Sequence, residues 1–130
     1  MSIIRRKGVA IVETKKGILV VAGRSKKFML PGGGAERGES RQKAAIRELY
    51  EETNLKTKSS KYLFSYVGSR WHTHRGRSIR NHAKVFLIHA YRTPKPKNEI
   101  KHIAFWKPDS TIHITSGARR AITAFLSKCK

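Results

Sequence analysis

Residues 40–53 read SRQKAAIRELYEET, inside the longer stretch 30–55, LPGGGAERGESRQKAAIRELYEETNL. The inner segment has helix composition, with an apolar stripe of Ala45, Ile46, Leu49 and Tyr50. Glu48, Glu51 and Glu52 fall in its last two turns. Spacings of three and four residues put them on roughly one face. Like charges so placed repel by ~0.2–0.5 kcal/mol per pair. Carboxylates near a helix C-terminus also oppose the macrodipole, at ~0.3–1 kcal/mol each. The whole chain holds only 8 acidic residues, so this clustering serves something other than helix stability. A divalent cation turns the repulsion into attraction, and carboxylate oxygens are natural ligands of a hard cation such as Mg²⁺.

The wider stretch resembles the Nudix box, the motif of a hydrolase superfamily, with the pattern G-x5-E-x7-R-E-U-x-E-E-x-G-U, where U is apolar. Gly33 takes the first position and Glu39 follows after five residues. Seven residues later come Arg47 and Glu48. Leu49 is the first apolar position, Glu51 and Glu52 are the paired acids, and Leu55 closes the motif. Asn54 stands where the pattern has glycine. That glycine ends the helix, and Asn is the next best residue for a left-handed cap.

The resemblance implies an α+β fold, an α/β/α sandwich around a mixed β-sheet. It also implies metal-dependent hydrolysis of a phosphoanhydride by water. Carried over position by position, Glu48, Glu51 and Glu52 are the ligands of Mg²⁺ or Mn²⁺, Arg47 orients them, and Glu39 supports the site from the preceding loop. The carbonyl of Gly32 is a further candidate ligand. Physically, a metal neutralises the diphosphate, positions it and lowers the pKa of bound water. The general base stays open between a box glutamate and an acid from a later loop, where Glu99 is the main candidate and Asp109 the other.

Composition sets the frame. The chain has 130 residues, 38% of them hydrophobic, and a formal net charge of +21. This predicts one globular domain over residues 1–130. The apolar runs at 9–12 and 18–22 are too short to span a bilayer and are separated by Glu13, Lys15 and Lys16. The single cysteine, Cys129, excludes an internal disulfide and a cysteine-based zinc cluster. It reads as a small apolar residue on a terminal helix. Cytoplasmic location, no membrane partner, and a monomer or homodimer are the expectations. The charge favours an anionic substrate and side binding of nucleic acid.

The patterning predicts strands at 8–14, 17–22, 62–68, 83–91 and 99–106, a short strand at 26–30, and a second amphipathic helix at 118–129. Residues 31–38 read as a glycine loop, and 93–98 (TPKPKN) as a solvated turn. Residues 69–82 (SRWHTHRGRSIRNH) read as a long loop or hairpin tip. Its Arg70, Trp71, Arg75, Arg77 and Arg80, together with Arg24 before the glycine loop, are candidate substrate contacts, a phosphate clamp with an aromatic stacker. Trp106 reads as core. Three functions compete: a nucleotide-housecleaning pyrophosphohydrolase acting on a nucleoside triphosphate or related nucleotide; a hydrolase of a more anionic substrate such as a diphosphoinositol polyphosphate, a dinucleoside polyphosphate or a 5′-phosphorylated RNA end; and a non-catalytic nucleic-acid-binding module of the same fold.

Overall fold

A computed structural model describes residues 3–128; Cys129 lies outside the described residues. The chain runs β1 (Ile3–Ile11), β2 (Glu13–Thr14), β3 (Gly17–Ala22), β4 (Gly32–Gly34), α1 (Arg41–Thr53), β5 (Lys56–Val67), β6 (Trp71–His72), β7 (Ser78–Tyr91), β8 (His102–Trp106) and α2 (Ser116–Lys128). The larger sheet is mixed, in the order β4-β1-β7-β5, with β6 on β7. β1 and β7 are parallel, and the other pairs in it are antiparallel. A smaller antiparallel sheet runs β2-β3-β8.

Strand alternation splits the core in two. Val9, Ile11, Ile18, Val20, Ala83 and Val85 point to α2, where Ala118, Ala121, Ile122 and Phe125 meet them. Ala10, Val12, Leu19, Phe86 and Ile88 point the other way and pack on Ala45 and Leu49 of α1. Period two in the strands and period 3.6 in the helices thus build an α+β sandwich with one helix on each face.

The structure moves several boundaries. The strand expected at 8–14 is Ile3–Ile11 followed by a two-residue strand in the other sheet. The strand expected at 62–68 begins at Lys56, because a polar edge strand (KTKSSK) carries no apolar signal. Residues 69–82 form the hairpin tip rather than the long loop: β6 pairs with the start of β7, and the turn spans 73–77, closed by Thr73 N–H donating to Arg77 O at 2.9 Å. Three of the four loop glycines form β4. Residues 26–30 make only isolated bridges, Phe28 to Ile114 and Met29 to Val21. The last strand starts at His102, leaving Glu99 in a turn closed by Ile100 N–H to Lys97 O at 3.0 Å. Helix α2 starts earlier than expected, where Thr115 Oγ1 accepts from Ala118 N–H at 3.1 Å. On α1, Tyr50 is exposed, with Lys97 over its ring, while Ala44 is buried in its stead.

Candidate active site

Helix α1 is fixed at both ends. Ser40 caps its start, accepting from Lys43 N–H at 3.1 Å; such a cap is worth about 1 kcal/mol. Asn54 ends it with φ 68°, and its N–H donates to Tyr50 O at 2.9 Å. This is the left-handed cap expected of the residue that replaces glycine. Between the caps α1 lies directly on β1. A Cβ on Gly8 would come within 2.0 Å of Arg41 O and 2.7 Å of Ala45 N, so only glycine lets the helix backbone approach this closely.

That approach hangs the acids over β4. Glu48 covers Gly33, where a Cβ would fall 2.6 Å from Glu48 Cδ. Glu52 Oε1 accepts from Gly32 N–H at 2.9 Å. Glu52 is 7% exposed, a rare burial for a carboxylate. That burial pushes its carboxyl up to about 7, opposed by the Gly32 N–H, with Glu48 and Glu99 adding upward pressure and Lys7 lowering it. Burial also raises Glu48, against the hydrogen bond from Arg47.

Arg47 knots the remaining acids together. Its Nε donates to Glu39 Oε2 at 2.8 Å and its Nη2 to Glu39 Oε1 at 2.9 Å, a bidentate pair. Its Nη1 reaches Glu48 Oε1 at 2.9 Å and Glu51 Oε2 at 3.2 Å, and Nη2 also reaches Gly34 O at 3.1 Å. The Arg47 bonds, then the Glu36 N–H, pull the Glu39 carboxyl down to about 2. Glu39 therefore anchors Arg47, and Arg47 aims Glu48 and Glu51.

Two contributors are not among the candidates drawn from the sequence. Segment 93–98 is mostly exposed, as expected of a solvated turn, and its backbone and Asn98 also satisfy the orphan carbonyls that end α1. Lys95 N–H donates to Thr53 O at 2.8 Å, Lys97 N–H to Glu52 O at 3.1 Å, and Asn98 Nδ2 to Glu51 O at 2.8 Å. The same segment delivers Glu99, whose charge acts on both Glu48 and Glu52. Lys7 is the second. It is paired with Gly34 across β1 and β4, and burial and Arg5 lower its pKa while Glu52 and Glu48 raise it. One signal was present: Lys7 closes a run of cations leading straight into an apolar strand.

The candidate substrate residues spread out. Arg24 is exposed and follows Gly23, where a Cβ would stand 3.4 Å from the Glu99 carbonyl oxygen. Arg75 and Arg77 sit at the β6–β7 turn, and Arg70 just before β6, beyond the pairing of Ile3 with Ile79. They do not converge on the acids. Arg80 pairs with Ile4, and its buried Nε has no hydrogen-bond partner. Trp71 is 43% exposed, whereas Trp106 is core at 7%.

A hard cation suits this donor set. Glu52 is a buried carboxylate, Glu48 and Glu51 lie within one turn of it, and burial, with the neighbouring acids behind it, raises the proton affinity of Glu48 and Glu52. Among the described residues no three acids or histidines already converge as a ligand set; Arg47 holds Glu48 and Glu51, and a cation competes with it for their oxygens. Two cavities matter. One, about 640 Å³, lies past the C-terminal end of α1 and is lined by none of these acids. A smaller one, about 230 Å³, is lined by Lys7, Val9, Met29, Leu30, Tyr66 and Ala118. Lys7 links this apolar chamber to the carboxylates.

Comparison with known proteins agrees with this geometry. The family model described as NUDIX domain matches residues 4–121. A nudix hydrolase family member from Chromobacterium violaceum is 36% identical, with a TM-score of 0.77, covering 96% of this chain and 78% of that one. The MutT NUDIX hydrolase of Burkholderia pseudomallei is 21% identical, with a TM-score of 0.75 over 93% of this chain and 97% of its own. A bifunctional NMN adenylyltransferase/ADP ribose pyrophosphatase from Francisella tularensis, complexed with AMP and a Mn ion, is 23% identical at a TM-score of 0.69, covering 100% of this chain and 43% of that one.

Proposed function

The chain belongs to the Nudix hydrolase family, and from that premise we propose that it is a Mg²⁺- or Mn²⁺-dependent pyrophosphohydrolase cleaving a phosphoanhydride of a nucleoside triphosphate or related nucleotide. The observation that carries this reading is the burial of Glu52 beside Glu48 and against the Gly32 N–H. Three repelling acids held there by Arg47 and two caps cost stability, and a ligand requirement explains them.

Each group has a task. Glu48, Glu51 and Glu52, with the Gly32 carbonyl, would hold the cation. The cation, when bound, would neutralise phosphate charge and activate water. Arg47 keeps Glu48 and Glu51 from swinging into solvent, and Glu39 keeps Arg47 from following the substrate. Lys7 offsets charge on the phosphate from the sheet side. Glu99, carried by the segment that caps α1, is the proton acceptor for the attacking water. The apolar chamber at Val9, Leu30 and Tyr66 takes the base, and Arg24 flanks the phosphates.

The alternative of a purely nucleic-acid-binding module is disfavoured by the same acids, because a binder gains nothing from carboxylates buried beside its phosphates. No helix among the described residues is long and apolar enough to cross a membrane; the proposed setting is the cytoplasm. A panel of nucleoside di- and triphosphates with Mg²⁺ or Mn²⁺, scored for products, tests the proposal. It requires turnover on at least one phosphoanhydride and loss of that turnover in excess chelator. Equal turnover in chelator overturns the metal assignment, and no turnover on any member overturns the reaction.

A further inference from the structure

The cleft past the C-terminal end of α1 holds none of the proposed catalytic groups. It measures about 640 Å³, an ordinary size for a small-molecule site. Its floor bridges the two sheets, from Leu19, Ile103 and Phe105 of the smaller to Ala90 of the larger, and Val12 and Leu55 complete it. Leu19 and Phe105 are directly paired across β3 and β8, and Ile103 lies two residues on, so all three share a face. The rim is cationic: Lys15, Lys16 and Arg92 line the cleft, and no acid does. Lys16 is presented by an ordered turn. Its N–H donates to Thr14 Oγ1 at 3.1 Å, and that hydroxyl donates to Gly17 O at 2.8 Å. Lys16 Nζ stands 5.6 Å from the centre of the Phe105 ring, so a cation and an aromatic face meet at the floor.

One wall of the cleft is the segment that also caps α1. Thr93, Pro94 and Pro96 line the cleft. Lys95 and Lys97, which alternate with the prolines, donate their N–H groups to Thr53 O and Glu52 O. Proline has no N–H, so the two wall prolines leave no backbone donor orphaned against an apolar ligand. Left-handed residues bound the wall, Arg92 at φ 83° and Asn98 at φ 56°. Fixed proline φ angles and the bonds to α1 hold the wall in place. We propose that this cleft is a second binding site, for a small anion with a flat aromatic body, an aromatic carboxylate or sulfonate. The body lies on Leu19, Ile103 and Phe105, and the anionic group reaches Lys15, Lys16 and Arg92. Charge and floor together choose this occupant. A neutral apolar ligand forgoes the cations, and a bare polyphosphate meets an apolar floor where it needs donors. A second copy of this chain brings its own charge of +21 to a cationic rim.

The probe is anilinonaphthalene sulfonate, an aromatic anion, compared with phenylnaphthylamine, the same rings without the sulfonate. Both are titrated by fluorescence on the folded protein at neutral pH in chelator, so the result is independent of metal and of hydrolysis. The sulfonate should bind saturably and about tenfold or more tighter than the neutral rings, the scale of one charge-assisted contact. Lys15→Gln with Lys16→Gln should weaken the sulfonate by about tenfold and leave the neutral rings nearly unchanged. Arg92→Asn, which suits the left-handed backbone, should act in the same direction. Ala90→Leu, which fills the cleft, should weaken both ligands. Lys58→Gln with Lys61→Gln removes the same charge from β5, outside the cleft, and should change neither. Every variant is checked by thermal melting. Sulfonate binding that survives the Lys15 and Lys16 change or Ala90→Leu overturns the proposal. So does an equal fall with the Lys58 and Lys61 change, which would mean adsorption to net charge. Equal affinity for the neutral rings overturns it too, as does a dimer in sedimentation that the sulfonate dissociates, since a second copy would then be the occupant.

Discussion

Replacing Glu52 by Gln should stabilise the metal-free protein at pH 8 and leave it nearly unchanged at pH 5. The side chain is 7% exposed and its carboxyl is pushed up to about 7 from the ordinary 4.5. Between those values the folded protein holds a proton that the unfolded chain has released. Stability therefore falls as pH rises across the interval, and the cost is complete above it. A gap of about 2.5 at ~1.4 kcal/mol per pKa unit sets a ceiling of about 3 kcal/mol. Gln keeps an oxygen for the Gly32 N–H, so the substitution removes charge without orphaning that donor. Glu39 acts in the opposite sense, but its stability is lost only as pH falls from 4.5 through about 2, outside the window compared. For a domain of this size ~3 kcal/mol corresponds to roughly 10 °C in Tm. The assay is thermal melting of both proteins in chelator at pH 5 and pH 8, repeated with saturating Mg²⁺. Metal should raise the wild type alone and narrow the gap. A variant that melts below wild type at pH 8 in chelator would refute the reasoning, because it would make ionised Glu52 a structural asset.

The other predictions follow from single contacts. Gly8→Ala should destabilise by about 1–3 kcal/mol or more and cut activity, since a Cβ there meets helix backbone that cannot rotate away; a denaturant midpoint equal to wild type would contradict the close approach of α1. Asn54→Gly should change stability by less than about 1 kcal/mol, because both residues suit φ 68°; a larger loss in urea unfolding would reveal a side-chain role for Asn54. Asn98→Ala removes the bond to the Glu51 carbonyl and should cost about 0.5–1.5 kcal/mol while lowering kcat more than it raises KM; unchanged kinetics would separate segment 93–98 from the acids.

Local chemistry was legible in the sequence, and tertiary placement was not. The helix of 40–53, its acid face and its Asn54 cap depend on neighbours three and four residues away, so they could be read directly. The two-sided core was not: the runs 9–12 and 18–22 are apolar throughout, so they marked strands without their faces, and the sandwich came from the family resemblance. Lys7 gains its meaning only when β4 pairs beside β1. Segment 69–82 looked like a loop because Ser, Gly, Arg and His dominate it, yet ladder pairing with Ile3–Ile11 overrode composition. The exposure of segment 93–98 was legible, but its bonds to α1 were not, because its partners, the last carbonyls of that helix, lie some forty residues back.

The most direct measurement of the central claim is turnover of a responsive nucleotide by wild type and Glu52→Gln in saturating Mg²⁺, with both confirmed folded. The account predicts a loss of at least ~100-fold in kcat for Glu52→Gln, as for a group that helps to hold an essential cation. A Glu52→Gln enzyme that turns over within a few-fold of wild type would contradict it, and would leave the buried carboxylate beside Gly32 without a function.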